Sequence, residues 1–230
     1  MATELAEKGS LFDYIQASKG FTEQLTRTIF GQILESVEYI HSQGIYHRDI
    51  KAENIFLDRN YQIKLGDFGF ATNDVNDNLY CGSGYYMAPE VTLKKKYNCA
   101  TTDIFSLGVL LFFMVTGKYP FIRANDNDCK FKLLSEGKIK LFWRTSVRCR
   151  NKLRALSPEF IQLVTMCLSI NSIERPSVSE IKNHPWFACT NDEYSSIPKV
   201  ETPYNEDVFN ELSKLEPDIM DPMDQYISYH

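Results

Sequence analysis

The feature that most constrains this chain is the run His47-Arg48-Asp49-Ile50-Lys51-Ala52-Glu53-Asn54, together with its distance from Asp67-Phe68-Gly69. Between the two lie short apolar runs, Ile55-Phe56-Leu57 and Ile63-Lys64-Leu65, separated by Asp58-Arg59-Asn60-Tyr61, which is the pattern of a β-hairpin. A hairpin brings its ends together, so Asp49, ahead of the first strand, and Asp67, behind the second, face one site. That site collects a carboxylate able to accept a proton, the Lys51 cation, and two oxygen donors, Asn54 and Asp67, of the kind a hard divalent ion prefers.

The run His-Arg-Asp-x-Lys-x-x-Asn fixes five positions, so a chance match in a chain of this size is on the order of 1 in 10⁴. With Asp67-Phe68-Gly69 and then Ala88-Pro89-Glu90 following in order, the chain resembles the large C-terminal lobe of eukaryotic protein kinases over residues 1–187. The resemblance lies on the serine/threonine side, near the calcium/calmodulin-dependent and AMP-activated groups. It implies a mainly α fold, a helical bundle with a small β-hairpin at the catalytic loop, and ATP, Mg²⁺ and a protein substrate as partners. It also assigns roles. Asp49 would accept the proton of the incoming hydroxyl, and Lys51 would offset charge on the transferred phosphoryl oxygens. Asn54 and Asp67 would ligate Mg²⁺. Lys51 and Ser83, the latter bracing Asp49 and Lys51, mark the serine/threonine branch. Glu53 is one acceptor for a substrate Arg, although Ser10 stands where basic-directed relatives often carry Glu. Asp103 would support the catalytic-loop backbone, and Glu90 would pair with Arg175, both as fold maintenance. Arg48 is the receiver of an activating phosphate in such kinases. Here the usual phosphorylated position is Leu79, and Asp77 offers a permanent negative charge nearby.

Ahead of residue 47 the sequence has no Gly-x-Gly-x-x-Gly and no Val-Ala-x-Lys, the phosphate-gripping parts of the N-lobe. Residues 1–9 resemble the last strand of that lobe and the hinge, with Glu4 to Ala6 offering backbone groups to adenine. Ser10 would lie at the ribose and Phe56 beneath the adenine ring. The expected organisation is hinge (1–9), C-lobe (10–187) and an acidic tail (188–230), with the N-lobe absent. Two readings follow: a fragment of a longer kinase, or a catalytically inactive half-kinase that serves as a binding or scaffolding module. The retained set of Asp49, Lys51, Asn54 and Asp67 favours the first.

With 43% hydrophobic and 24% charged residues in 230, and net charge −5, one soluble folding unit with an appendage is expected. The strongest apolar stretch, Ile104 to Val115, is too short to span a bilayer and reads as a buried helix, so no membrane partner is expected. No basic-then-apolar leader opens the sequence, and cysteines 81, 99, 129, 149, 167 and 189 lack paired or metal-type spacing. Reduced, intracellular thiols in the cytoplasm are the expectation, with the nucleus as the other compartment such thiols allow.

Leu25, Ile29, Ile33, Val37 and Ile40 predict an amphipathic helix stopped by Gly44 that delivers the chain into His47. Helix starts are predicted at Thr101, at Ser157-Pro158-Glu159, and at the capping box Ser177 to Glu180. Residues 138–154 carry seven basic and no acidic side chains, whereas residues 188–230 carry ten acidic and two basic ones. The absence of aromatic stacking platforms and the acidic balance argue against nucleic acid. A solvated surface, or docking of the acidic tail or of an acidic protein partner on the basic stretch, is expected. In the tail, Val208, Phe209, Leu212 and Leu215 share one helical face, and the rest is expected to be poorly ordered.

Overall fold

The structure, a computed structural model, describes residues 6–147, 150–188 and Lys214. It is mainly helical. Helix α1 (Leu11–Ser18) begins at Ser10, whose hydroxyl donates to the Asp13 carboxylate at 2.6 Å in a reciprocal capping box. Helix α2 (Glu23–Ser42) is capped by Thr22, which accepts from the Leu25 N–H. It buries Leu25, Ile29, Ile33, Val37 and Ile40 along the stripe that the sequence spacing predicts. The α2 helix ends at Gln43-Gly44, with Gly44 in the left-handed region, and the chain turns directly into His47.

The hairpin is present: β1 (Ile55–Leu57) pairs antiparallel with β2 (Ile63–Leu65) in the register Ile55 with Leu65 and Leu57 with Ile63. A second ladder that the sequence did not disclose joins β3 (Asn76–Asp77) to β4 (Tyr97–Asn98) across the segment containing the short helix α3 (Pro89–Thr92). Each strand is two residues long, too short for periodicity to register.

Helix α4 (Cys99–Thr116) is the axis of the core, with nearly every side chain from Thr102 to Thr116 buried. The predicted start at Thr101 is two residues late. Asn98 is the cap, its side chain accepting from the Ala100 and Thr101 N–H groups. At 18 residues and mean hydropathy 1.8 the helix is long and apolar enough to cross a bilayer, so the predicted exclusion by length does not hold. What argues against that role is that 89% of it is buried within the protein.

Beyond α4 follow α5 (Cys129–Ser135), α6 (Ile139–Ser146), α7 (Arg150–Ala155) and α8 (Pro158–Cys167). Helix α8 starts at Ser157, whose Oγ accepts from Phe160 N. It packs on α4 at Gly108, where a side chain would place a Cβ 2.6 Å from Cys167 Cβ. Helices α9 (Val178–Lys182), which carries the predicted capping box, and α10 (Pro185–Ala188) close the core. Glu23 staples these parts together: its carboxylate accepts from Ser157 N, Ser157 Oγ and Trp186 Nε1 at 2.6–2.7 Å. The tail prediction lies outside the described residues apart from Lys214, as does that part of the basic stretch at Arg148 and Cys149.

Candidate active site

The loop between α2 and β1 is suspended from α4. Asp103, fully buried, accepts from His47 N at 2.9 Å and Arg48 N at 2.8 Å, and from the His41 ring at 2.9 Å. A buried carboxylate must be saturated in this way to be tolerated. The His41 contact is one that sequence reasoning missed; the only available signal is its place in the last turn of α2. His47 is fixed from both ring nitrogens. Its Nε2–H donates to Gly66 O at 2.9 Å, while Nδ1 accepts from Asp49 N at 3.3 Å. The His47 bridge to Gly66 thus ties the loop to the end of β2.

Asp49 stands at the centre, almost completely buried. Its Oδ1 accepts from Ser83 N at 2.8 Å; its Oδ2 accepts from Asn54 Nδ2 at 3.1 Å and pairs with Lys51 Nζ at 2.7 Å. Lys51 also donates to Ser83 Oγ at 2.9 Å. Asp49, Lys51, Asn54 and Ser83 are therefore one connected cluster. The Asn54 amide hydrogens are spent on Asp49, through Oδ2 and the backbone carbonyl at 2.9 Å, which leaves the amide oxygen to offer a cation. Gly66 N donates to Asn54 O at 2.9 Å, closing the hairpin and setting the next residue, Asp67, beside it.

Asp67 is exposed and sits at φ +55°, an unfavourable conformation for a residue with a Cβ. Such strain is characteristic of positions whose orientation matters more than their stability. Among the described residues no three His, Cys, Asp or Glu side chains cluster tightly enough to hold a metal by themselves. One carboxylate and one amide oxygen suit Mg²⁺ that draws its remaining ligands from phosphate and water. The donor set fits that ion.

At the opposite edge of β1, backbone pairing gathers the residues predicted on the nucleotide side. Lys8 N donates to Leu57 O, Leu57 N to Gly9 O, and Ser10 bridges to Phe56. Ala6 lies at the start of this strip, its carbonyl accepting from Gly9 N. The Phe56 ring covers Gly66, where an added Cβ would fall 2.8 Å from it. Ser10, predicted at a ribose, has its hydroxyl engaged with Asp13 as the cap of α1. Glu4 lies outside the described residues.

Glu53 faces the site from the short 3₁₀ turn Ala52–Asn54. Burial pushes its carboxyl up, and Oε2 is buried without a hydrogen-bond partner. Such an atom is costly to leave unmatched.

The segment from Phe70 to Cys81 is clamped on Arg48. The guanidinium donates from Nε to Phe70 O at 2.6 Å and from Nη1 to Asp77 Oδ2. Desolvation works against the Asp77 charge, but the Asn78 and Leu79 N–H groups and Arg48 outweigh it and hold the carboxyl below its usual range. Tyr97, on β4, donates to Leu79 O at 2.7 Å, and Cys99 N donates to Val75 O at 2.8 Å. Burial pushes the Cys99 thiol up to about 12, so it is an inert packing group here. Below the site, Arg175 grips both Glu90 oxygens, Nη1 to Oε1 at 2.5 Å and Nη2 to Oε2 at 2.8 Å, and donates to Thr101 O and Ser169 O. This fork ties the Ala88-Pro89-Glu90 turn to α4.

A protein kinase domain model matches residues 1–187. The chain is 34% identical over 229 residues to the serine/threonine-protein kinase kin-29 of Caenorhabditis briggsae, covering 98% of this chain and 26% of that protein. It is 36% identical over 186 residues to sperm motility kinase 2B of Mus musculus, covering 80% of this chain and 36% of the relative. Against the serine/threonine-protein kinase SIK2 of Gallus gallus it is 36% identical over 190 residues, 81% of this chain and 22% of that protein. The chain belongs to the protein kinase family, and its resemblance is to the serine/threonine kinases. It spans roughly a fifth to a third of the length of these relatives.

Proposed function

We propose that this chain is the C-terminal lobe of a serine/threonine protein kinase, a fragment that supplies the substrate side and metal side of a phosphoryl-transfer site. The observation that carries this reading is the Asp49 carboxylate, held at once by Ser83 N, Asn54 Nδ2 and Lys51 Nζ. That arrangement fixes the direction of a buried carboxylate. ATP and Mg²⁺, when bound, supply the transferable phosphoryl group and neutralise its oxygens. Asp49 orients a substrate hydroxyl and takes its proton. Lys51, shared between Asp49 and Ser83, is a point charge set beside the reacting oxygens. Asn54 and Asp67 hold the metal ion, and Ala6, Phe56 and the hinge region with Glu4 receive the adenine side. Glu53, with its unmatched oxygen, receives a basic substrate side chain. The free thiols of Cys81, Cys99, Cys129 and Cys167 support an intracellular, cytoplasmic setting.

The second reading is a catalytically inactive binding or scaffolding module built on a kinase C-lobe. The two readings separate in nucleotide binding. Residues 1–230 alone should bind Mg-ATP weakly or not at all. Joined behind the upper lobe of a serine/threonine kinase of this kind, they should bind it in a Mg²⁺-dependent manner that Asp67→Ala abolishes. Calorimetry on both proteins checks this. Equal nucleotide affinity with and without Mg²⁺ in the joined protein would remove Asn54 and Asp67 from the proposed site.

A further inference from the structure

A groove of about 650 Å³ opens between the C-terminal turn of α5, the start of α6, and the last turn of α8 with the residues that follow it. Its lining is mostly apolar, with Leu134, Ile139, Met166, Leu168 and Ile170, and Glu174 at one rim. Met166 and Ile170 are more than a third exposed, and beside them Leu141 and Ile173 are exposed as well. Apolar surface gathered around a concavity marks a place where something docks. One wall is basic. Lys138, Lys140 and Arg144 are exposed on and before α6, and of these only Lys138 has an anionic partner, Glu136, among the described residues.

We propose that the groove is the docking site for this chain's own acidic segment 205–216, seated as a helix with Val208, Phe209, Leu212 and Leu215 in the groove. Three observations select this occupant. The segment Asn205-Glu206-Asp207-Val208-Phe209-Asn210-Glu211-Leu212-Ser213-Lys214-Leu215-Glu216 places its four large apolar residues at helical spacing, matching an open apolar groove. Its acidic residues, Glu206, Asp207, Glu211 and Glu216, complement the unpaired Lys140 and Arg144. The connection also reaches. The described chain reaches Ala188 in α10, whose Trp186 packs on Phe160 in the first turn of α8, with ring centroids 5.7 Å apart. The groove lies at the other end of α8, a helix of ten residues and so about 15 Å long. Residues 189–207 span up to roughly 60 Å when extended, several times that distance. A tether of this kind holds the segment at high effective concentration, so modest contacts suffice.

The proposal is independent of the chemistry assigned to Asp49. It is tested on the full chain by hydrogen–deuterium exchange, comparing wild type with Met166→Glu in the groove and with the double variant Phe209→Asp, Leu212→Asp in the tail. Met166 is exposed, so its replacement does not enter the core, and a thermal melt of each variant verifies that folding is preserved. The expected result is reciprocal. The tail variant speeds exchange at residues 133–141 and 165–173, and Met166→Glu speeds exchange at residues 206–216. High salt reproduces part of both effects, because exposed charge pairs are screened. Unchanged groove exchange in the tail variant overturns the proposal. So does groove protection that survives in the tail variant and rises with protein concentration, which would assign the groove to a second copy of the chain.

Discussion

Asp49 is held in direction by two N–H donors and one cation, Asn54 and Lys51 coming from its own stretch of sequence and Ser83 from a segment well beyond β2. Asp49→Asn keeps the shape and an oxygen to accept from Ser83 N, but it turns the other oxygen into an NH2 group facing the Asn54 and Lys51 donors and removes the carboxylate. In the protein completed by an upper lobe it should slow the chemical step at least about 10²-fold while leaving nucleotide affinity unchanged, the scale of a positioned general base. Single-turnover phosphorylation of a serine peptide, alongside a nucleotide titration, measures both. Arg175 belongs to a different class. Its guanidinium is buried and makes four hydrogen bonds, so Arg175→Ala leaves the Glu90 carboxylate without its partner and removes the donor to Ser169 O. Loss of one partner of such a pair costs about 3 to 5 kcal/mol, which chemical denaturation of residues 1–230 should reveal as lost stability. At this scale the sequence was largely legible, because the motif run holds most of the cluster in eight consecutive residues. What it could not disclose was His41 on Asp103 or the capping duty of Ser10. Both depend on how a helix end is aimed, which leaves no compositional trace.

Among the elements, the stretch from Phe70 to Cys81 shows how a loop is ordered without a helix or a long strand. Arg48 holds Asp77 and the Phe70 carbonyl, and Tyr97 and Cys99 secure the far side. We propose that Asp77 does permanently what a phosphate does in kinases controlled at the position of Leu79. Asp77→Asn should then lower the activity of the completed kinase more than Thr72→Ala does, and phosphatase treatment should leave wild-type turnover intact. Turnover of the three proteins under identical conditions decides it. Loss of activity on dephosphorylation, matched by Thr72→Ala, would refute the role of Asp77. The sign of the pH effect also follows. The Asp77 carboxyl is held low, so its contribution is fully present above the unfolded carboxyl pKa and is lost only as pH falls through the lower folded value. This pair therefore adds no pH dependence at neutrality. The contact of α4 with α8 gives a stability prediction. Gly108→Ala would drive a methyl into Cys167, so overpacking should destabilise by about 1 to 3 kcal/mol, read as a lower denaturation midpoint. Helices with regular stripes or marked caps, α2, α8 and α9, were legible in the sequence. Helices α5 and α6 were not. They are short, and α6 starts from Lys138 without a side-chain cap, so its basic face was visible as charge and not as a helix.

For the whole molecule, one core built around α4 carries a loop on which the Asp49 carboxylate, the Lys51 cation and the Asn54 amide converge. The phosphate-gripping loop and lysine of a complete kinase do not occur ahead of residue 47 in this sequence. Residues 1–230 alone are therefore expected to show negligible phosphorylation of a generic serine substrate. The measurement that bears most directly on the central claim is phosphoryl transfer from labelled ATP to a serine peptide by these residues joined behind a kinase upper lobe. Wild type, Asp49→Asn and Asp67→Ala are compared in Mg²⁺. The account predicts transfer by the wild type, loss of the chemical step with nucleotide still bound in Asp49→Asn, and loss of Mg²⁺-dependent nucleotide binding in Asp67→Ala. Wild-type turnover in both variants would contradict it.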